Sequence, residues 1–205
     1  MKISIMQPYF FPYLNYFKLI EMSDIFIILN DVQFQRRGWV HRNKFVNKYN
    51  KNYNDWLTLP LKKCKISTNI NDLIFDETKI KSFFDKSIKF DFFCNKINSY
   101  PEIKKNIFKF DLKPSEYLLK HIKLTNKILN IKTKLILSSD LNISNKINYE
   151  ERIIKMVQYF KGDTYFNLPG GKKLYNKKIF KKNGIDLIFL EDLEEKKISI
   201  LDTLD

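Results

Sequence analysis

Two short apolar runs open the chain, Ile3-Ser4-Ile5-Met6 and Ile25-Phe26-Ile27-Ile28-Leu29-Asn30, with a helix-length segment between them. Each run ends in polar residues, the pattern of buried parallel strands on either side of a helix. Pro8 and Pro12 exclude a regular helix across the first loop, because each lacks a donor and restricts the residue before it. A helix is therefore expected from about Pro12 to about Met22. In such a βαβ unit the carboxyl ends of both strands share one sheet edge, where open α/β sheets bind ligands. Gln7 and Asp31 are expected side by side at that edge, with the cluster Arg36-Arg37-Gly38-Trp39-Val40-His41-Arg42-Asn43 close behind.

Further along, Lys44 to Asp55 reads as a polar turn, and Trp56 to Leu61 as a short strand edged by Pro60. Residues 65–78 read as a loop with one short strand. From Lys79 to about Asn98, Ile80, Phe83, Phe84, Ile88, Phe92 and Phe93 follow helical spacing and are expected in the core. Pro101 breaks the chain, and a helical turn over Lys105–Phe110 ends before Pro114. Ser115 is the expected N-cap of a helix reaching about Leu129, followed by a strand over 133–139. Asn148 or Tyr149 opens another helix, running through Arg152 to Phe160 and closing on Gly162 as C-cap. A strand at Thr164–Asn167, a turn at Leu168–Gly171, a helix at Lys172–Lys182 closing at Gly184 and a strand at Ile185–Leu190 complete the pattern. The alternation predicts one α/β domain over 1–205, a mostly parallel three-layer sheet with an N-terminal βαβ unit and a helix-rich middle. There is no internal repeat.

Charge changes this picture little. The net charge of +14 is carried mainly by lysines, and Lys, Asn and Ile are abundant throughout, as an A/T-rich coding sequence produces. Such a charge attracts phosphate-bearing ligands, nucleic acid or an anionic membrane surface. The lysines are spread along the chain, however, and no basic stripe interleaves with exposed rings, which argues against nucleic acid. Cys64 and Cys94 lie thirty residues apart without a CxxC, so free thiols are expected and not a disulfide framework or a zinc site. Met1 leads into the first strand with no basic leader, and the apolar runs are far short of a membrane span. A cytoplasmic protein is expected, with peripheral membrane contact left open and the oligomeric state unspecified.

Several residues carry candidate chemistry. Asp31 at a strand end suits a general base or a ligand for a sugar hydroxyl or amine, and equally a turn or cap aspartate. His41 stands near Arg37 and Arg42, whose like charge favours the neutral imidazole. A neutral imidazole beside a carboxylate can take a proton from an amine or hydroxyl; the alternative is a structural histidine. His121, in a lysine-rich helix, reads as a surface residue. Arg36, Arg37 and Arg42 are the only arginines besides Arg152, a choice that suits bidentate contacts with phosphate or carboxylate, or salt bridges. Gly170-Gly171 before a helix can present backbone N–H groups to an anion. No P-loop, GxGxxG, GxSxG or metal-ligand cluster is present, so no cofactor is expected.

The residues Gln7-Pro8, Pro12-Tyr13-Leu14-Asn15-Tyr16-Phe17, Asp24, Asp31-Val32-Gln33-Phe34, Trp39-Val40-His41-Arg42-Asn43 and Trp56-Leu57-Thr58-Leu59-Pro60 form one extended pattern. Glu151-Arg152, Gly170-Gly171 with Tyr175, Phe180 with Gly184-Ile185, and Ser199-Ile200-Leu201-Asp202 continue it. Over nearly its whole length the chain resembles the WbqC-like family, associated with bacterial O-antigen and other surface-polysaccharide gene clusters. The resemblance implies a transferase of surface-glycan biosynthesis. Acyl or aminoacyl transfer to an amino sugar on a nucleotide or lipid carrier is the favoured reaction, with the acyl donor unidentified. Asp31 and His41 would be catalytic, and Gln7, Tyr13, Tyr16, Gln33, Arg37, Arg42, Asn43, Arg152, Gly170 and Gly171 substrate-binding. Asn15 stands where the family usually has glycine, and the stretch between Leu190 and Ser199 is shorter than usual.

From Ile5 to Phe34 the chain also resembles the start of nucleotidyl-transferring α/β enzymes of the pantothenate synthetase kind, with Tyr13 and Tyr16 where those carry two histidines. A tyrosine carries no positive charge at neutral pH and cannot replace an imidazolium against phosphate. A nucleotidyl- or adenylyl-transferring enzyme and a non-catalytic glycan-binding module are the alternative readings.

Overall fold

The computed structural model describes residues 1–191 and 197–204. In chain order its elements are β1 (Lys2–Met6), α1 (Leu14–Glu21), β2 (Ile25–Ile28), β3 (Arg42–Val46), β4 (Asn54–Thr58), α2 (Ile80–Ser87), α3 (Pro101–Ile107), α4 (Pro114–Ile128), β5 (Lys134–Leu137), α5 (Tyr149–Tyr159), β6 (Thr164–Asn167), α6 (Lys177–Lys182) and β7 (Asp186–Phe189). Contacts group them into two units: Met1–Gln7, Asn15–Val32 and Asn130–Glu195 in the first, Pro8–Leu14, Gln33–Leu129 and Lys196–Asp205 in the second.

The first unit is a five-stranded sheet in the order β5-β2-β1-β6-β7. All four pairings are parallel, with Ile3 opposite Ile25, Ile25 opposite Lys134, Ile3 opposite Tyr165 and Tyr165 opposite Leu187. Side chains alternate between the two faces. Ile3, Ile5, Ile25, Ile27, Tyr165 and Leu187 enter one core with Ile153, Met156 and Val157 of α5 and Phe180 of α6. On the other face Phe26 meets Tyr16 of α1 at 5.3 Å between ring centroids. There Ser4 also shares a buried hydrogen bond with Ser23, 2.5 Å between hydroxyl oxygens. Helices therefore cover both faces, as expected for a sheet whose strands are apolar on both sides.

Helix ends follow local chemistry. The Asn148 side chain caps α5 by accepting from the Glu150 N–H at 2.9 Å. At the other end the expected glycine cap is displaced by one residue. Lys161 takes the left-handed conformation (φ 54°), its N–H donating to the Gln158 carbonyl, while the Gly162 N–H donates to the Val157 carbonyl. These are the paired bonds of a Schellman motif. Gly162 is a glycine for space: a Cβ there would lie 2.7 Å from Ile3 Cγ1 and 2.8 Å from Val157 Cγ1. The α6 helix closes the same way, with Gly184 itself in the left-handed position at φ +75°.

The second unit contains an antiparallel hairpin: β4 overlaps the strand expected from Trp56, while its partner β3 lies where a polar turn was expected to begin. In β3 only Asn43 and Phe45 are buried, so one apolar residue carried the alternation and the strand was masked. The helix expected over Lys79–Asn98 is broken. It stops at Ser87, and after a turn a π-helical segment covers Phe92–Lys96. Phe83, Phe92 and Phe93 are buried, whereas Phe84, within α2, and Ile88, in the turn that follows it, are exposed. The expected helix over Lys172–Lys182 is likewise a 3-10 turn at Pro169–Lys173 followed by α6. Pro114 opens α4 and Lys113 holds the N-cap position without a side-chain capping bond, so Ser115 lies inside the helix. His121 is buried, not on the surface, with Nδ1 2.8 Å from the Tyr117 carbonyl oxygen.

The C-terminal segment is tied into this second unit. The Ser199 N–H donates to Lys44 O, Ile200 N–H to Pro12 O, and Asp202 Oδ2 accepts from the Val46 N–H. The stretch 192–196, within the interval expected to be short, lies outside the described residues.

Candidate functional site

The apolar runs of β1, β2, β5 and β6 pass into polar residues at one edge of the sheet: Gln7, Asn30-Asp31, Ser138-Ser139 and Asn167. Gln7 and Asp31 follow adjacent parallel strands, with Met6 opposite Ile28, so both lie at the carboxyl edge. Asp31 is held from two sides. Its Oδ2 accepts from Arg152 Nη2 at 2.5 Å, and its Oδ1 accepts from the Ser138 hydroxyl. Asn30 frames the same corner: its N–H donates to Ser138 Oγ at 3.2 Å and its Oδ1 accepts from the Ser139 N–H at 3.2 Å.

Arg152 is only 3% exposed and the Asp31 side chain 15%. Taking two charges out of water is costly, and each requires the other. Arg152 Nη2 also reaches the Ile143 carbonyl at 3.4 Å, while its buried Nε has no partner among the described residues. A carboxylate offers about four acceptor positions, and Arg152 and Ser138 occupy two. Asp31 is thereby fixed in orientation with acceptor capacity left for an N–H or O–H.

Tyr16 is fully buried, its hydroxyl donating to the Gln7 carbonyl at 2.9 Å, so it shapes the strand end from beneath. Asn15 is buried in the first turn of α1. At the end of β6, Asn167 donates to the Tyr165 hydroxyl at 3.2 Å and accepts from the Leu168 N–H at 2.7 Å. Gly171 packs against that amide, where a Cβ would lie 2.6 Å from Asn167 Nδ2, and its N–H is taken by the Leu168 carbonyl. Gly170 is exposed, with open space around it. Ser138, Asn30 and Asn167 were not singled out from the sequence. The polar residues closing each apolar run were the available signal.

Tyr13, Gln33, Arg37, His41, Arg42 and Asn43 belong to the second unit. Asn43 is buried and structural in its bonding, donating to the Phe11 carbonyl at 2.5 Å where the backbone turns through φ 42°. Arg42 lies 4.2 Å over the Trp56 ring and donates to the Gly38 and Arg37 carbonyls. Tyr13 is buried edge-on to Trp39, and the Gln33 amide donates to the Ile66 carbonyl. The Arg37 side chain is exposed. His41 packs edge-on against Phe34 at 5.0 Å, and its Nδ1 is buried with no partner among the described residues. Burial first, and the Arg42 charge second, pull its pKa down to about 4, so the ring is neutral at pH 7.

An open, wholly parallel sheet with helices on both faces defines the class of the first unit: an α/β layered fold. The chain belongs to the WbqC-like protein family, whose profile matches residues 7–202. It is also similar to an uncharacterized protein of Mycobacterium tuberculosis (strain ATCC 25618 / H37Rv), 24% identical over 196 residues that cover 93% of this chain and 82% of that protein. No solved structure matches the chain. Among the described residues, no helix is long and apolar enough to cross a membrane.

Proposed function

We propose that this protein is a transferase of bacterial surface-glycan assembly, moving an acyl or aminoacyl group to an amino sugar carried on a nucleotide or lipid. The observation that carries this reading is the Asp31 carboxylate, pinned by Arg152 and Ser138 at the carboxyl edge of the sheet with acceptor positions still open. An amine nucleophile must be oriented and must lose a proton as the new C–N bond forms, and a fixed carboxylate performs the first task and can receive the proton. The donor's leaving group departs with the electron pair of the bond it gives up.

Strand order favours a second reading. In the order β5-β2-β1-β6-β7, connections run one way from β1 and the other way from β6. That reversal is where nucleotides sit in doubly wound sheets, so the same edge suits nucleotide binding or nucleotidyl transfer.

Product formation from amino-sugar nucleotides and acyl donors, followed by mass spectrometry, tests the first reading. Asp31→Asn keeps shape and some hydrogen bonding but removes the base. It is expected to abolish turnover while leaving sugar affinity within a few-fold, with melting curves confirming the fold. Normal turnover by a folded Asp31→Asn protein removes Asp31 from the chemistry. Binding of the sugar without modification by any donor leaves a glycan-binding module.

A further inference from the structure

The second unit contains a hollow of about 430 Å³ that the transfer reaction does not use. Phe34, Leu59 and Leu61 line it, and so do His41, Arg36, Lys62, Lys63, Cys64 and Lys79. Its volume falls in the range of small-molecule sites, about 300–1,000 Å³. Among the described residues, no carboxylate lines it.

The cations differ in their engagements. Lys79 is paired with Asp76 at 2.6 Å, and Arg36 donates to the Cys64 carbonyl at 2.5 Å through one nitrogen, leaving further guanidinium donors. Lys62 and Lys63 have no ion pair and no side-chain hydrogen bond among the described residues. Lys62 and Lys63, consecutive in the chain, and Arg36 line one hollow without a carboxylate among the described lining residues, and an anion bound there relieves their like-charge repulsion. Phosphate suits this set best, since it takes a bidentate arginine contact together with point charges from lysine. Phe34 and Leu59 are buried beside these groups, which gives the uncharged part of a ligand an apolar surface.

We propose that this hollow binds a phosphorylated ligand, its phosphate between Lys62, Lys63 and Arg36 and its uncharged body on Phe34, Leu59 and Leu61. His41, neutral at pH 7, offers the ligand a hydrogen-bonding ring without adding charge. The ligand's body comes from one of two sources, a nucleoside or an isoprenoid chain, which share the phosphate chemistry. The proposal rests on the transfer reading for the kind of carrier, a nucleotide or a lipid phosphate, but it concerns binding by residues other than Asp31 and is tested by binding alone.

Isothermal titration of the full chain with inorganic pyrophosphate, uridine diphosphate and farnesyl phosphate is the test. The Lys62→Gln/Lys63→Gln variant is expected to weaken all three by roughly tenfold or more, with an unchanged melting temperature. Lys172→Gln/Lys173→Gln removes the same charge from an exposed turn elsewhere and is expected to change nothing. Bound ligand should also slow alkylation of Cys64 by iodoacetamide relative to Cys94, read by peptide mass spectrometry. Tighter binding of uridine diphosphate or of farnesyl phosphate than of pyrophosphate identifies the body. Equal weakening by both double variants, no binding by the parent, or unaltered Cys64 reactivity overturns the site. Equal affinity for all three ligands overturns the role of the apolar surface.

Discussion

The two units bury their cores with different side chains and treat polar groups differently as a result. In the first, aliphatic residues alternate along short parallel strands, and Ile3, Ile5, Ile25 and Ile27 meet the apolar faces of α5 and α6. In the second, rings do most of the packing. Phe45 meets Phe10, Phe90 and Phe93 with centroids 6.0, 5.5 and 5.5 Å apart, and Phe110 stacks on Tyr117 with 16° between planes. A regular sheet delivers its polar residues to strand ends, where a charge can be paired, as Asp31 is with Arg152. A ring-packed core keeps the polar groups it covers uncharged: burial holds the fully enclosed His121 and the half-buried His41 down to about 4. Charge at the edge and neutrality inside are two solutions to the same desolvation cost.

Removing a ring should produce the largest effect. Phe45→Ala takes out a fully buried side chain that touches three other rings, and is expected to cost about 4 kcal/mol in urea denaturation. A cost under about 1 kcal/mol would show that the rings do not carry this core. The ion pair comes next. Arg152→Ala strands the Asp31 carboxylate at a mostly buried position and should cost about 3 kcal/mol. Pairing Arg152→Met with Asp31→Asn should recover much of that loss, because no charge is then left uncompensated. If the double variant is less stable than Arg152→Ala alone, desolvation is not what binds the pair together.

The two helix closures give a smaller and sharper test. Gly184→Ala places a Cβ at φ +75° and should cost about 1 kcal/mol, whereas Lys161→Gly relieves a lysine at φ 54° and should gain up to about 1 kcal/mol. Equal signs for the two would contradict the Schellman assignment. The smallest effect is a change of slope with pH. The His121 pKa is about 4 in the folded chain against 6.5 normally, so between these values the unfolded chain binds more protons. Its contribution is complete above pH 6.5 and is lost as pH falls towards 4. Asp202 works in the opposite sense: burial raises it to about 7, so its contribution is complete below about 3.8 and is lost as pH rises through 7. Denaturation midpoints between pH 4 and 7 should therefore respond oppositely, His121→Gln flattening the acid loss and Asp202→Asn steepening it.

Hydrophobic periodicity alone determined the α/β class, the N-terminal strand-helix-strand unit, the strands ending at Met6, Leu137 and Asn167, and the placing of Gln7 and Asp31 on one edge. Those features are local: a run of Ile and Phe bounded by polar residues admits few structures, and parallel pairing follows from the helices between the runs. Tertiary structure decided the rest, because it depends on neighbours distant along the chain. Asp31 meets Arg152 and Ser138 more than a hundred residues away, and no local pattern announces such a pair. Strand β4 was legible from Trp56 onward, but its partner β3 rests on Phe45 alone among apolar buried residues, enclosed by residues from other segments, so its own sequence reads as the start of a polar turn. His121 looks exposed among lysines because helical position alone does not say which face is covered. Phe11, whose ring lies 5.0 Å from it, covers that face from the other end of the unit's sequence.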